Sequence, residues 1–395
     1  MKSFKTMFFT ILAVFCIVGI NHSQTLIPVE AGAGADANLT AALIFANSGA
    51  AENVVIELVT DGGVYKLNAA DSVLHDLTIR AKEGLAEKPM IIPGDTIDCF
   101  LEIDESLLTE SITLKLQGIK FDGRFEDGSL NPFDNKDFIA VVRGDEADRT
   151  ILPNVIVEDC DFSNCYQKAS PETDNVGNFF RVRDYGTAGT VRFENCTFTK
   201  NPDEAILLQK ASGRDGVIRA ADSLIVRNCT FVDCGQGPKC QGLVTVKGDK
   251  DSTTADMAIV LENVTVYNSD QRLINTDDCE YTVVRNILTA SPDTIYAKKD
   301  NSIIAIEKAS SSLSHIGVFD VAYAMNIPEG EETWAYILEN AFQISSGRYT
   351  EGNPGTVDVE TIYNFDPMFA DAANGDFTLL SGSPAYGKAH DGGAL

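Results

Sequence analysis

The sequence predicts an all-β solenoid with a short N-terminal helix, on two observations. One short phrase recurs along the chain: Val155-Ile-Val-Glu-Asp-Cys-Asp-Phe162, Val191-Arg-Phe-Glu-Asn-Cys-Thr-Phe198, Leu224-Ile-Val-Arg-Asn-Cys-Thr-Phe231 and Ile259-Val-Leu-Glu-Asn-Val-Thr-Val266, with Ile112 to Phe121 as a looser copy. Aligned on Phe121, Phe162, Phe198, Phe231 and Val266, the copies are 41, 36, 33 and 35 residues apart. Each copy alternates apolar and polar residues at period two and ends in turn residues, which is a strand signature. A repeat of that length with two or three strands and no helix stacks as a solenoid.

The elements follow in order. Met1 to Ser23 reads as an export signal: Lys2 and Lys5 precede the apolar run Met7 to Ile20, which is too short to span a bilayer. Residues 24–300 form the solenoid, with its cap at about 30–50, where Gly32 to Ala46 reads as a turn and an amphipathic helix. A first coil has an open apolar mouth, and a helix there covers it. Asn53 to Leu58, Leu77 to Arg80 and Met90 to Ile92 are the next strands. After each copy of the phrase comes a second strand: Phe138 to Arg143, Asn178 to Arg183, Ala205 to Lys210, Leu243 to Lys247 and Leu273 to Asp277. Residues 301–395 hold further coils and an irregular closing segment, in which Trp334 to Phe342 reads equally as a helix or an excursion.

Composition narrows the function classes. A formal charge of −27 argues against nucleic acid and anionic membranes as partners. Four histidines without zinc spacing give no His-based metal site, and neither a phosphate-binding glycine loop nor a Gly-x-Ser-x-Gly elbow occurs. No run is long enough for a transmembrane helix, the export signal places the protein outside the cytoplasm, and nothing sets an oligomeric state.

Repetition turns single residues into columns, because equivalent positions in adjacent coils lie about 4.8 Å apart. Cys160, Cys196 and Cys229 share one column, which reads better as packed thiols than as a disulfide or metal site. Cys234 and Cys240 flank a short loop, and a local disulfide and free thiols both fit. Asn195, Asn228, Asn263 and Asn286 form an amide ladder that satisfies groups buried at a turn. Aligned by their alternation, the second strands place Arg143, Arg183, Lys210 and Lys247 in one cationic column, followed by Asp277, with Arg181 on the same strand as Arg183. Stacked cations repel, so they suit a polyanion better than they suit packing, unless nearby carboxylates pair them off.

Asn175 to Arg183, Asp203 to Ser212, Leu224 to Phe231 and Gly242 to Gly248 resemble polysaccharide lyase family 6, which includes chondroitinase B and alginate lyases. The resemblance covers roughly Gly32 to Asn286 and implies a right-handed parallel β-helix and calcium-assisted β-elimination on uronate polymers. The family's Asn-Gly-Gly-Glu falls on Asn175-Val-Gly-Asn178, and its paired metal carboxylates fall on Asp203 and Ala205. The resemblance thus leaves Asn175 and Asp203 as calcium ligands, Lys210 as the base, and Lys247 where the family has its catalytic arginine. Replacing arginine by lysine gives up bidentate carboxylate recognition.

The expectation is an exported β-helix, a divergent, non-catalytic or weakly active relative of polysaccharide lyases, that binds an acidic, uronate-containing polysaccharide through Arg143, Arg181, Arg183, Lys210 and Lys247. The alternatives are an active lyase with Lys210 as base and a structural or adhesive surface solenoid.

Overall fold

The computed structural model describes residues 24–32, 35–68, 71–95, 97–131, 137–142, 151–166, 177–183, 186–209, 220–235, 240–247, 257–269, 271–276, 281–290, 304–307, 311–319, 338, 342–345 and 356–395. The export signal, Arg143, Asn175, Lys210, Asp277 and the Lys247 side chain lie outside them, as does all of Trp334 to Phe342 except Leu338 and Phe342.

The chain is a parallel β-helix. Its described strands form a 17-stranded sheet and a 9-stranded sheet, in which every strand pair is parallel. One coil shows the plan: Asn154–Glu158, a corner at Asp159, Asp161–Ser163, then Asn178–Val182 in the second sheet. The following coil repeats it with Ala188–Glu194, Asn195, Thr197–Asn201 and Ile206–Gln209. Later first-sheet strands run straight through the corner, as in Ala221–Cys234 and Ala258–Tyr267.

The recurrent phrase is one strand, a corner and a second strand, and each position has its reason. Phe121, Phe162, Phe198, Phe231 and Val266 are successive register partners. The phenyl rings stack at 5.3, 5.3 and 4.8 Å, within 12° of parallel. Cys160, Cys196 and Cys229 lie beside them as buried free thiols, each donating to the carbonyl two residues back, and burial pushes the Cys160 and Cys229 thiols up. Cys234 and Cys240 are also thiols, not joined in a disulfide.

Asparagine marks the corner because the backbone there is left-handed: φ is 56° at Asn195, 53° at Asn228, 55° at Asn263 and 55° at Asn286. That conformation costs most residues about 1 kcal/mol or more, and asparagine tolerates it best after glycine. The amides form a polarised chain, Asn286 to Asn263 to Asn228 to Asn195, with Nδ2 to Oδ1 distances of 2.9, 2.8 and 3.1 Å. The ladder forms as expected, but Asn195, Asn228 and Asn263 are exposed, so backbone conformation and not burial explains them.

The N-terminal helix, α1 (Ala35–Ala46), buries Leu39, Ala42, Leu43 and Ala46, one face at helical spacing, against the first coil. The strand before it, Thr25–Val29, ends the first sheet, and Pro28 there has no N–H to offer a further strand. At the other end, coils continue through Ile304–Glu307, Ser311–Phe319 and Phe342–Ser345. The tail then adds the antiparallel hairpin Phe369–Asp371 with Asp376–Leu379.

Candidate functional site

The outer face of the second sheet is built from the strands Leu101–Asp104, Asp137–Val142, Asn178–Val182, Ile206–Gln209, Val244–Lys247 and Ile274–Thr276, paired in that order. Their register places Glu102, Ala140, Arg181, Leu207, Thr245 and Asn275 in one column. Two residues along, Asp104 pairs with Val142, and Gln209 with Lys247. Val182 pairs with Leu208, which puts Arg183 opposite Gln209.

This corrects the expected cationic column. Gln209 and not Lys210 stands opposite Lys247, and Val142 and not Arg143 stands level with Arg183. The strand starts one residue early, at Asp137 opposite Asn178. A one-residue slip moves a side chain to the other face. Alternation failed to set the register because Phe138 to Val142 and Ile206 to Leu208 are buried on both faces and read as unbroken apolar runs. Arg183 and Lys247 remain in one column, with Gln209 between them.

Arg181 and Arg183 project from the strand Asn178–Val182 and its next residue, and one carboxylate lies within reach of both. Asp137 is fully buried; it accepts from Asn178 Nδ2 at 2.8 Å and pairs with Arg183 Nε at 3.3 Å and Arg181 Nη1 at 3.9 Å. A buried carboxylate is costly unless paired in this way. Arg183 also crosses the neighbouring strand to reach Glu102 Oε2 at 3.0 Å, two strands away. The residue in the intervening strand is Ala140, whose single methyl leaves room for that reach. Arg181 turns the other way, and its Nη2 donates to Gln209 Oε1 at 2.9 Å. The result is a pair of guanidinium groups held by neighbours on both sides, each about one-fifth exposed.

Sequence reasoning missed Asp137, Glu102 and Gln209 as supports. The available signal was an aspartate, Asp137, directly before the apolar run Phe138 to Val142.

Asp203 and Glu204 form the buried turn into Ile206–Gln209. Asn201 Nδ2 donates to both of their carbonyls, at 3.0 and 2.8 Å, and Glu204 Oε1 accepts the Gln241 N–H at 3.3 Å. Glu105, also buried, accepts the backbone N–H of Thr187. Among the described residues no group of three or more His, Cys, Asp and Glu is arranged to hold a metal ion. Asn175, the other calcium ligand that the resemblance implies, lies outside the described residues.

No family model and no curated protein matches the chain. A polysaccharide lyase family 6 alginate lyase, AlyGC, is similar over 69% of this chain and 37% of its own, at 15% identity and a TM-score of 0.39. An arginine-to-alanine variant of that enzyme gives the same coverage at 17% identity and 0.42. A Geobacillus virus E2 protein, ORF18, is similar over 79% of this chain and 57% of its own, at 10% identity and 0.38. The chain therefore spans less than two thirds of each of these proteins.

Among the described residues no helix is long and apolar enough to cross a membrane.

Proposed function

We propose that this β-helix binds an acidic polysaccharide across the outer face of the second sheet. Arg181 and Arg183 would read uronate carboxylates, and Lys210 and Lys247 would extend the contact. The observation that supports this is the arginine pair: two guanidinium groups two residues apart on one strand, sharing one buried carboxylate. Arginine offers five donors in a fixed fork matched to a carboxylate, and a held guanidinium loses less freedom on binding than a free one. A polymer crossing the coils would meet the arginine pair on one strand and Lys247 in the same column as Arg183.

A structural or adhesive solenoid is the second reading. It draws support from the pairing of Arg183 with both Glu102 and Asp137, which offsets the positive charge of the face.

The test is calorimetric titration with alginate, dermatan sulfate, chondroitin sulfate and pectate, each with calcium and with chelator, while ultraviolet absorbance is followed for unsaturated uronate. Binding is expected to weaken with salt, and to fall about tenfold or more in Arg181→Ala and again in Arg183→Ala, as for loss of charge-assisted hydrogen bonds. Absorbance that rises in the native protein and not in Lys210→Ala would replace this reading with an active lyase. No binding under any of these conditions would leave the structural solenoid.

A further inference from the structure

The segment after Ile362–Asn364 lies along the outside of the first sheet and touches three successive coils. Phe369 and Phe377 pack on Tyr267, with ring centroids at 6.3 and 5.4 Å. Phe365 and Leu395 close over Gly317, where an added Cβ would meet Leu288 Cδ1 at 2.8 Å and Phe365 Cζ at 2.9 Å. Beneath them Leu288 is 1% exposed.

The third contact is made at the end of the asparagine ladder. The His390 backbone N–H donates to Asn286 Oδ1 at 2.9 Å, and Asn286 Nδ2 lies 2.9 Å from His390 Nδ1. A backbone N–H can only donate, so Asn286 must turn its oxygen to it, which presents the amide N–H to Nδ1. Nδ1 can accept only while it carries no proton, so this contact requires a ring unprotonated at Nδ1.

A second imidazole lies against the first. His315 occupies the next left-handed corner, at φ 56°, with its ring centroid 6.2 Å from that of His390. Its Nδ1 is buried without a hydrogen-bond partner, and its backbone N–H donates to Thr361 Oγ1. The charged groups facing the two rings are Arg285 on the adjacent coil, Asp358 before the last coil and Asp391 in the tail. Burial, with His390 and Arg285, holds His315 below its ordinary range, and Asp358 opposes this only in part. Asp391 stays ionised to lower pH because the Gly393 N–H binds it.

We propose that His315 and His390 are an acid-sensitive latch, whose protonation releases Phe365–Leu395 from the first sheet and uncovers Tyr267 and Leu288. Two imidazolium rings side by side, next to Arg285, repel, and a proton on His390 Nδ1 would face the Asn286 amide N–H, against the attraction of the Asp391 carboxylate. Burial, with His390 and Arg285, makes His315 take up a proton less readily when the tail is docked than when it is released. Docking is therefore full above the ordinary imidazole value of about 6.5 and weakens as pH falls below it.

Hydrogen exchange read by mass spectrometry, as protection factors corrected for intrinsic rates, tests this on the full chain. Between about pH 7.5 and 5, protection of residues 365–395 should fall by up to about tenfold per pH unit, while peptides around Phe162 and Phe198 stay protected. In the double variant His315→Gln/His390→Gln the tail should lose this pH dependence. If that tail no longer docks, His315→Gln alone, which keeps the Asn286 contacts, should dock with a shallower response. Constant protection in the native protein, or a native response in both variants, would overturn the latch.

Discussion

On the outer face of the first sheet, Lys115, Glu158, Arg192, Glu194, Arg227, Glu262 and Arg285 form one chain of alternating charge across successive coils. Its closest contacts are 2.8, 2.6, 3.8, 3.2, 3.0 and 2.7 Å. Each basic residue between the ends touches two carboxylates, and each carboxylate touches two basic residues. On the second sheet two arginines share a single strand, their shared carboxylate is fully buried, and the outward neighbours Ala140, Leu207 and Thr245 are buried as well. The same repeat thus yields one face that neutralises itself at the surface and one whose charges depend on a covered support. Surface pairs contribute about 0–1 kcal/mol each, whereas removing one partner of a buried pair costs about 3–5 kcal/mol.

The largest expected effect comes from removing the buried support. Asp137→Ala should lower stability by about 3–5 kcal/mol, measured by denaturant midpoint, and should abolish glycan binding. A cost below about 1 kcal/mol would mean that the two faces do not differ as described. Next, Ala140→Leu fills the path by which Arg183 reaches Glu102. It should cost about 1–3 kcal/mol by overpacking and weaken binding more than its stability cost explains.

Smaller effects are expected on the first sheet and its corner. Asn228→Ala interrupts the amide chain and puts alanine in a left-handed backbone, for about 1–2 kcal/mol, with binding unchanged. Glu194→Gln should cost at most about 1 kcal/mol, an effect that added salt removes. Glu158 gives the pH counterpart. Lys115, with Arg192, holds its carboxyl below the ordinary range, so its contribution is full above that range and is lost as pH falls through the depressed value. In Lys115→Met the loss in acid should shrink, as seen in denaturant midpoints taken along an acid series.

Legibility varied with how many faces of a strand are buried. Val191 to Phe198 alternates cleanly, because one side meets the core and the other the charge chain, and its register could be read directly. Phe138 to Val142 is apolar throughout, and its phase was lost with it. The supports of the arginine pair were invisible for a related reason: Glu102, Asp137, Arg181 and Gln209 lie in four different coils, and no local pattern joins them. His390 and Asn286 are 104 residues apart and meet only because the tail turns back.

By itself the sequence determined the coil, its phenylalanine and asparagine columns and the capping helix, because these depend on period and on local backbone preference. Only the tertiary structure decided which cations share a column, which carboxylate lies beneath them and where the tail docks. Those follow from strand register and long-range packing, where a shift of one residue reverses the face a side chain occupies.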